Sequence, residues 1–179
     1  MKSLRWILPC LALVLLAPGC ILTSGQILIS FDLPNVSATS PTGLIGEQID
    51  LSTNDDYKKH KDKLKDIADF AVLGTFNNTG VTDIDVEVWM TRDLTSLSTA
   101  AAVQSAGTKL WGSLHVPAGG SVSIDWDGSA KLFTTAGKTT LLQEAKEDGT
   151  FTLYALSAGT TYQFNVQDGV LALVIDAGI

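Results

Sequence analysis

Apolar and polar positions alternate along much of this chain, and the alternation is clearest in DIDVEVWM (83–90). Ile84, Val86, Val88 and Met90 fall on one side, while Asp83, Asp85, Glu87 and Trp89 fall on the other. A repeat of two is the signature of a strand with one buried face. TKLWGSLHV (108–116) alternates in the same way, with Leu110, Leu114 and Val116 opposite Lys109, Trp111, Ser113 and His115. SVSIDW (121–126) groups Val122, Ile124 and Trp126. Shorter runs of the same kind are QILISFDL (26–33), EQIDLS (47–52), FAVLGTF (70–76), TFTLYAL (150–156), TYQFNV (161–166) and VLALVI (170–175). Turn-forming stretches separate them: NNTG (77–80), PAGG (117–120), SAGT (157–160) and QDG (167–169). Short strands spaced by turns predict an antiparallel β-sandwich, because a parallel sheet needs a crossover helix between most strand pairs.

Three segments break the alternation and predict short helical insertions. In STNDDYKKHKDKLKDI (52–67), Ser52, Thr53 or Asn54 can cap, Asp55 and Asp56 suit the positive start, and lysines fill later turns. Tyr57, His60, Leu64 and Ile67 would form its apolar stripe. LTSLSTAAAVQSAG (94–107) carries a weaker helical pattern, and TTLLQEAKEDG (139–149) ends on the glycine that often terminates a helix. PNVSATSPTG (34–43) has the composition of a loop. These boundaries divide the chain into 1–19, then 20–43 with a first strand and loop, then a sandwich domain over 44–179.

The N-terminus follows a different pattern. Lys2 and Arg5 precede an apolar run from Trp6 to Leu16, followed by Ala17-Pro18-Gly19 and Cys20. That run is too short for a lasting membrane span and reads as a secretory signal peptide over 1–19. LAPGC resembles the lipobox of bacterial lipoproteins, although the usual leucine stands one place early, at Leu16, and Pro18 is an uncommon neighbour. The resemblance implies that Cys20 becomes the mature N-terminus and carries palmitate-like acyl chains that tether the protein to a membrane. Two or three such chains anchor stably where one does not. Ile21, rather than an aspartate, resembles lipoproteins delivered to the outer membrane, on its periplasmic or surface face, in a Gram-negative cell envelope.

Composition narrows the remaining chemistry. Cys10 lies within the signal and Cys20 would be acylated, so the mature domain has no disulfide and depends on its core. Loss of Lys2 and Arg5 leaves 10 basic against 19 acidic residues, a formal charge of −9, which argues against nucleic acid as a partner. Half of those basic residues, Lys58, Lys59, Lys61, Lys63 and Lys65, lie within eight positions. Such a cluster could touch anionic headgroups. The plainer reading is a solvated helix paired with Asp55, Asp62 and Asp66. AGKTT (136–140) lacks the first glycine of a phosphate loop, since position 132 is Leu, and reads as a turn into a helix.

FNNTGVTDIDVEVWM (76–90) and LHVPAGGSVSIDW (114–126) together are similar to Ig-like and fibronectin-like modules of bacterial surface proteins, which implies fold and not function. No hydrolase motif is present, two histidines are too few for a zinc site without carboxylates, and DLSTNDD (50–56) and DWDG (125–128) do not match a calcium loop. No metal or cofactor is expected. Trp89 and Trp111, with His115, stand on the polar sides of their strands, where two indoles could seat a sugar ring or an apolar group. The plainer reading is that insertions cover that face.

The expectation is a non-enzymatic, membrane-anchored binding or structural accessory module of the envelope with a protein or glycan partner. The second reading is a carbohydrate- or apolar-ligand-binding lipoprotein using Trp89 and Trp111. The third is a small envelope hydrolase with a carboxylate pair.

Overall fold

The alternating runs form strands, and their pairing explains how the two sheets are joined. A computed structural model describes residues 24–33, 35–39, 44–94, 96–157 and 163–178. The signal segment and Cys20 lie outside the described residues, as does most of the SAGT turn. The strands are β1 (Ser24–Leu33), β2 (Val36–Thr39), β3 (Ile45–Asp50), β4 (Leu64–Asn78), β5 (Ile84–Thr91), β6 (Thr108–Val116), β7 (Ser121–Ile124), β8 (Thr150–Ser157) and β9 (Gln163–Gly178). The helices are α1 (Asp55–His60), α2 (Ala100–Ala106), α3 (Trp126–Ala130) and α4 (Thr135–Glu147), with 3-10 turns at Leu51–Thr53 and Lys61–Lys63 flanking α1.

One sheet has the order β1-β9-β4-β7, with β2 also pairing with β9. The other has the order β3-β8-β5-β6, and every pairing is antiparallel. Inward side chains of both sheets form one core, including Ile29, Phe70, Phe76 and Leu173 from the first and Val86, Met90, Trp111 and Phe151 from the second. The fold is therefore a β-sandwich with short helices. Each fully buried side chain of this size contributes about 1.5–3 kcal/mol, and this core holds the two sheets together.

Several local expectations change for physical reasons. The helix expected over 52–67 is confined to α1 and its flanking 3-10 turns, because from Leu64 the chain pairs with β9. Leu64 and Ile67 are thus buried as strand residues, not as a helical stripe. The QDG turn does not separate two strands: β9 runs through it, and Asp168 (φ 51°) forms an irregularity while Asn35 Oδ1 accepts its N–H at 2.8 Å. Part of the expected 34–43 loop is β2. Trp126 does not extend β7 but opens α3, whose cap is Asp125 accepting from Gly128 N. The helix expected at 139–149 begins earlier, at Thr135, with Thr134 as cap, and AGKTT lies inside it.

Two lysines of α4 fasten irregularities in β4. The β4–β9 register skips at Lys65 and at Ala68. Lys146 Nζ donates to the Lys65 carbonyl at 2.9 Å, and Lys138 Nζ donates to the Ala68 carbonyl at 3.1 Å. A bulge takes carbonyls out of the regular ladder, and the helix supplies donors to these two.

Candidate functional site

The outer face of β5 and β6 gathers the strongest polar constellation among the described residues. Glu87 and Trp89 are two apart on β5 and so share its outer face. Lys109 is the register partner of Trp89 on β6. Opposite Glu87 the ladder is irregular: Val86 pairs with Leu114 and Val88 with Trp111, so Gly112 and Ser113 together face one residue. This bulge delivers the Ser113 hydroxyl to Glu87. Gly112 is required there, because its φ is 112° and an added Cβ would lie 2.7 Å from the Val86 carbonyl oxygen.

Glu87 is only 6% exposed and accepts three hydrogen bonds. Trp89 Nε1 donates to Oε2 at 2.8 Å, while Lys109 Nζ and Ser113 Oγ each donate to Oε1 at 3.0 Å. Burial pushes the carboxyl up, but these three donors and the Lys109 charge outweigh it, so the net shift is downward. Glu87 is thus an ionised, fully occupied carboxylate. It has no proton to give at neutral pH and is a weak candidate for acid or nucleophilic catalysis.

His115 lies farther along the same face, opposite Asp85. Its Nδ1 is 3.3 Å from Asp85 Oδ1 and its Nε2 is 3.5 Å from Asp83 Oδ2, with all three side chains exposed. Ser113, the hydroxyl on the same strand face, bonds Glu87 rather than His115. A Ser-His-Asp relay is not assembled here.

The platform of two tryptophans that the second reading requires is not formed. The same bulge turns Trp111 inward, fully buried, where it stacks on Phe76 at 5.5 Å, and a second register shift at Leu110 returns Lys109 to the outer face. Its Nε1 finds acceptors in the Ser129 hydroxyl (2.9 Å) and carbonyl (3.2 Å), which is how a tryptophan tolerates an interior position. Trp89 remains on the outer face, half-buried against Val103, Tyr154 and Leu156 under α2. One indole is core and the other belongs to a covering cluster. His115 therefore has Trp89 on its side of the sheet but not Trp111.

The lysine cluster is distributed over three elements. Lys58 and Lys59 are on α1, Lys61 and Lys63 on the following 3-10 turn, and Lys65 on β4. Lys58 pairs with Asp55 at 3.0 Å, and Lys61 lies over the Tyr57 ring. His60 closes α1 with its Nδ1 buried and without a hydrogen-bond partner among the described residues. The oxygen-rich stretches DLSTNDD and DWDG serve as caps: Asp50 accepts from Ser52 N, Asn54 from Asp56 N and Tyr57 N, and Asp125 from Gly128 N.

A second buried carboxylate provides a contrast. Glu144 on α4, 2% exposed, accepts from Arg92 Nε, while Arg92 also donates to Glu147 at 2.6 Å. Burial raises the Glu144 pKa, and the nearby Glu147 and Asp148 add to it, so the Arg92 contact does not bring it back to its usual range.

An apolar cavity between the sheets, lined by Leu33, Ile45, Val72, Phe76, Val88 and Val166 among others, has a volume of about 40 Å³. Pockets for ordinary small ligands occupy roughly 300–1,000 Å³. An open cleft of about 340 Å³ lies beside the β9 irregularity, with Asp32, Asn35 and Asp168 at its wall. No group of three or more metal-ligating His, Cys, Asp or Glu side chains occurs among the described residues.

The sequence placed Glu87 and Trp89 on one polar face and Lys109 and Ser113 on another, but did not reveal Glu87 as their meeting point. Cross-strand register was the missing information. No protein-family model matches the chain, and no curated protein is significantly similar to it.

Proposed function

We propose that the protein is a non-enzymatic, lipid-anchored binding or structural module of the bacterial cell envelope, tethered through Cys20. The observation that carries this reading is the junction between the signal segment and the fold. LAPGC ends at Cys20, and β1 begins at Ser24, four residues later. Four residues span at most about 14 Å when extended, so an acylated Cys20 would hold the sandwich directly against a bilayer. No described helix is long and apolar enough to cross a membrane, so in this reading the acyl chains do the tethering.

The rest of the molecule suits a scaffold more than a catalyst. Glu87 is fully bonded and ionised, the apolar cavity has room for little more than one water, and the two tryptophans stand on opposite faces. A protein or glycan partner would meet the outer surface or the turns, where Val81 is 94% exposed.

Cys20→Ser tests the reading. In a bacterial host, wild type should partition into the detergent phase and the variant should appear unprocessed or in the aqueous phase. A variant that is cleaved normally and stays in the detergent phase would refute it.

A further inference from the structure

We infer that the end of the sandwich formed by α1, the 3-10 turn after it and the start of β4 is a membrane-contact surface for anionic lipid headgroups. This rests on the anchor reading above and adds an orientation to it. Register fixes the geometry. Ser24 pairs with Gly178 and Leu64 pairs with Ala177, on opposite sides of β9. Two strand spacings of about 4.8 Å put Ser24 and Leu64 roughly 10 Å apart. The tether from Cys20 and the lysine-rich segment therefore emerge at the same end of the molecule.

Lysines are concentrated at this end. Of the 10 basic residues in the mature chain, Lys58, Lys59, Lys61, Lys63 and Lys65 lie here. Lys146 joins them from α4, with its Nζ on the Lys65 carbonyl. Carboxylates stand among them: Asp56 and Asp62 are exposed within the same segment, and Asp176 is the register partner of Asp66. Asp55 pairs with Lys58, Asp66 accepts the Ile67 N–H, and Asp148 accepts from Thr150 while facing Lys61. Lys59, Lys63 and Lys65 are exposed and make no ion pair among the described residues. Arg92 and Lys109, by contrast, are already committed to Glu144, Glu147 and Glu87. Free ammonium groups on flexible stems beside an acyl anchor suit the anionic phosphates of a bilayer surface.

The test uses the full acylated protein, whose mature chain offers no thiol other than the modified Cys20. A fluorophore is placed on Thr53→Cys at the lysine-rich end or on Val81→Cys at the far end, both exposed positions. The protein is reconstituted into vesicles of neutral phosphatidylcholine, or of the same lipid with about 30 mol% phosphatidylglycerol, and quenched by headgroup-spin-labelled lipid. The probe at 53 should be quenched at least threefold more than the probe at 81 in anionic vesicles. The excess should fall at least twofold in K59Q/K63Q/K65Q and in about 0.5 M salt, where the Debye length is only a few ångströms. Equal quenching at both sites, or an excess indifferent to lipid charge and to the substitutions, overturns the contact. Mass analysis of the same samples separates the two ideas. An unacylated Cys20 sinks the anchor reading and this inference together, whereas acylated protein without the end preference sinks this inference alone.

Discussion

At the end where Ser24 emerges, the sandwich is closed by helices, whereas the opposite end consists of turns. The closed end is packed tightly. Tyr57 of α1 is buried, donates to the Ala145 carbonyl at 2.7 Å, and lies over Gly149. Burial, with Asp148 and Asp50 nearby, pushes the Tyr57 pKa up to about 12, so its hydroxyl keeps its proton and stays a donor. At the turn end, backbone bonds such as Gly119 N to the Gly80 carbonyl join the turns, and one buried side chain ties them to the strands. Asn78 Nδ2 donates to the carbonyls of Thr82 (2.7 Å) and Val116 (3.1 Å), and Asn78 Oδ1 accepts from Gly80 N. Around it, Val81, Asp83 and His115 are exposed. One end is built by side-chain packing and the other by hydrogen bonds to backbone groups, several of them from the Asn78 amide. Substitutions at the first should register as steric and core effects, and those at the second as lost bonds or as nothing.

The largest effect belongs to the closed end. Gly149 has φ 79°, and an added Cβ would sit 2.3 Å from Tyr57 Oη. Gly149→Ala combines backbone strain with overpacking and should cost about 3–5 kcal/mol. At 2–4 °C per kcal/mol this lowers Tm by roughly 10 °C. A thermal melt within 2 °C of wild type would show that the packing there is loose.

Between the two ends, Glu87→Gln should cost about 2 kcal/mol at pH 7, because Trp89 loses an acceptor and Lys109 its counter-charge; the partial exposure of Lys109 keeps the figure modest. The sign of its pH dependence follows from the lowered folded-state pKa. Glu87 adds its full stability above its ordinary value of 4.5 and loses it as pH falls through the lowered value. Chemical denaturation of wild type and variant should therefore converge in acid, and divergence there would contradict an ionised, bonded Glu87. Glu144, with its raised pKa, works the other way, since its burial penalty eases as pH falls.

At the turn end, Asn78→Ala should cost about 1–3 kcal/mol by leaving the Thr82 and Val116 carbonyls without this donor. Its circular dichroism spectrum should remain that of a strand-rich protein. The smallest effects should come from Val81→Ser and His115→Ala, each within about 0.5 kcal/mol of wild type. A larger loss at either position would mean that the turn end is packed like its counterpart.

Strand content was legible wherever one face met solvent. Ile84, Val86, Val88 and Met90 point inward as their alternation requires, and β6 occupies 108–116 as expected. β8 was also found, although it is buried on both sides: Phe151 and Leu153 face the core while Tyr154 and Leu156 meet Val103 of α2. What period-two reading misses is a change of phase inside a strand. The bulge at Gly112 and Ser113 moves Trp111 from the polar face into the core, and the irregularity at Asp168 keeps β9 continuous where a turn was expected. Both depend on which strand lies opposite, which spacing along one segment does not encode. The Glu87 constellation was hidden for the same reason, since its donors come from β5 and β6 together.

The proposed tether at Cys20 is most directly examined by mass spectrometry of the tryptic N-terminal peptide from membranes. Lys58 is the first basic residue after Cys20, so the mature protein should release residues 20–58 as one fragment. That fragment should carry the added mass of a diacylglyceryl group on sulfur. An unmodified cysteine at its start, or a fragment beginning at another residue, would contradict lipid anchoring and the orientation built on it.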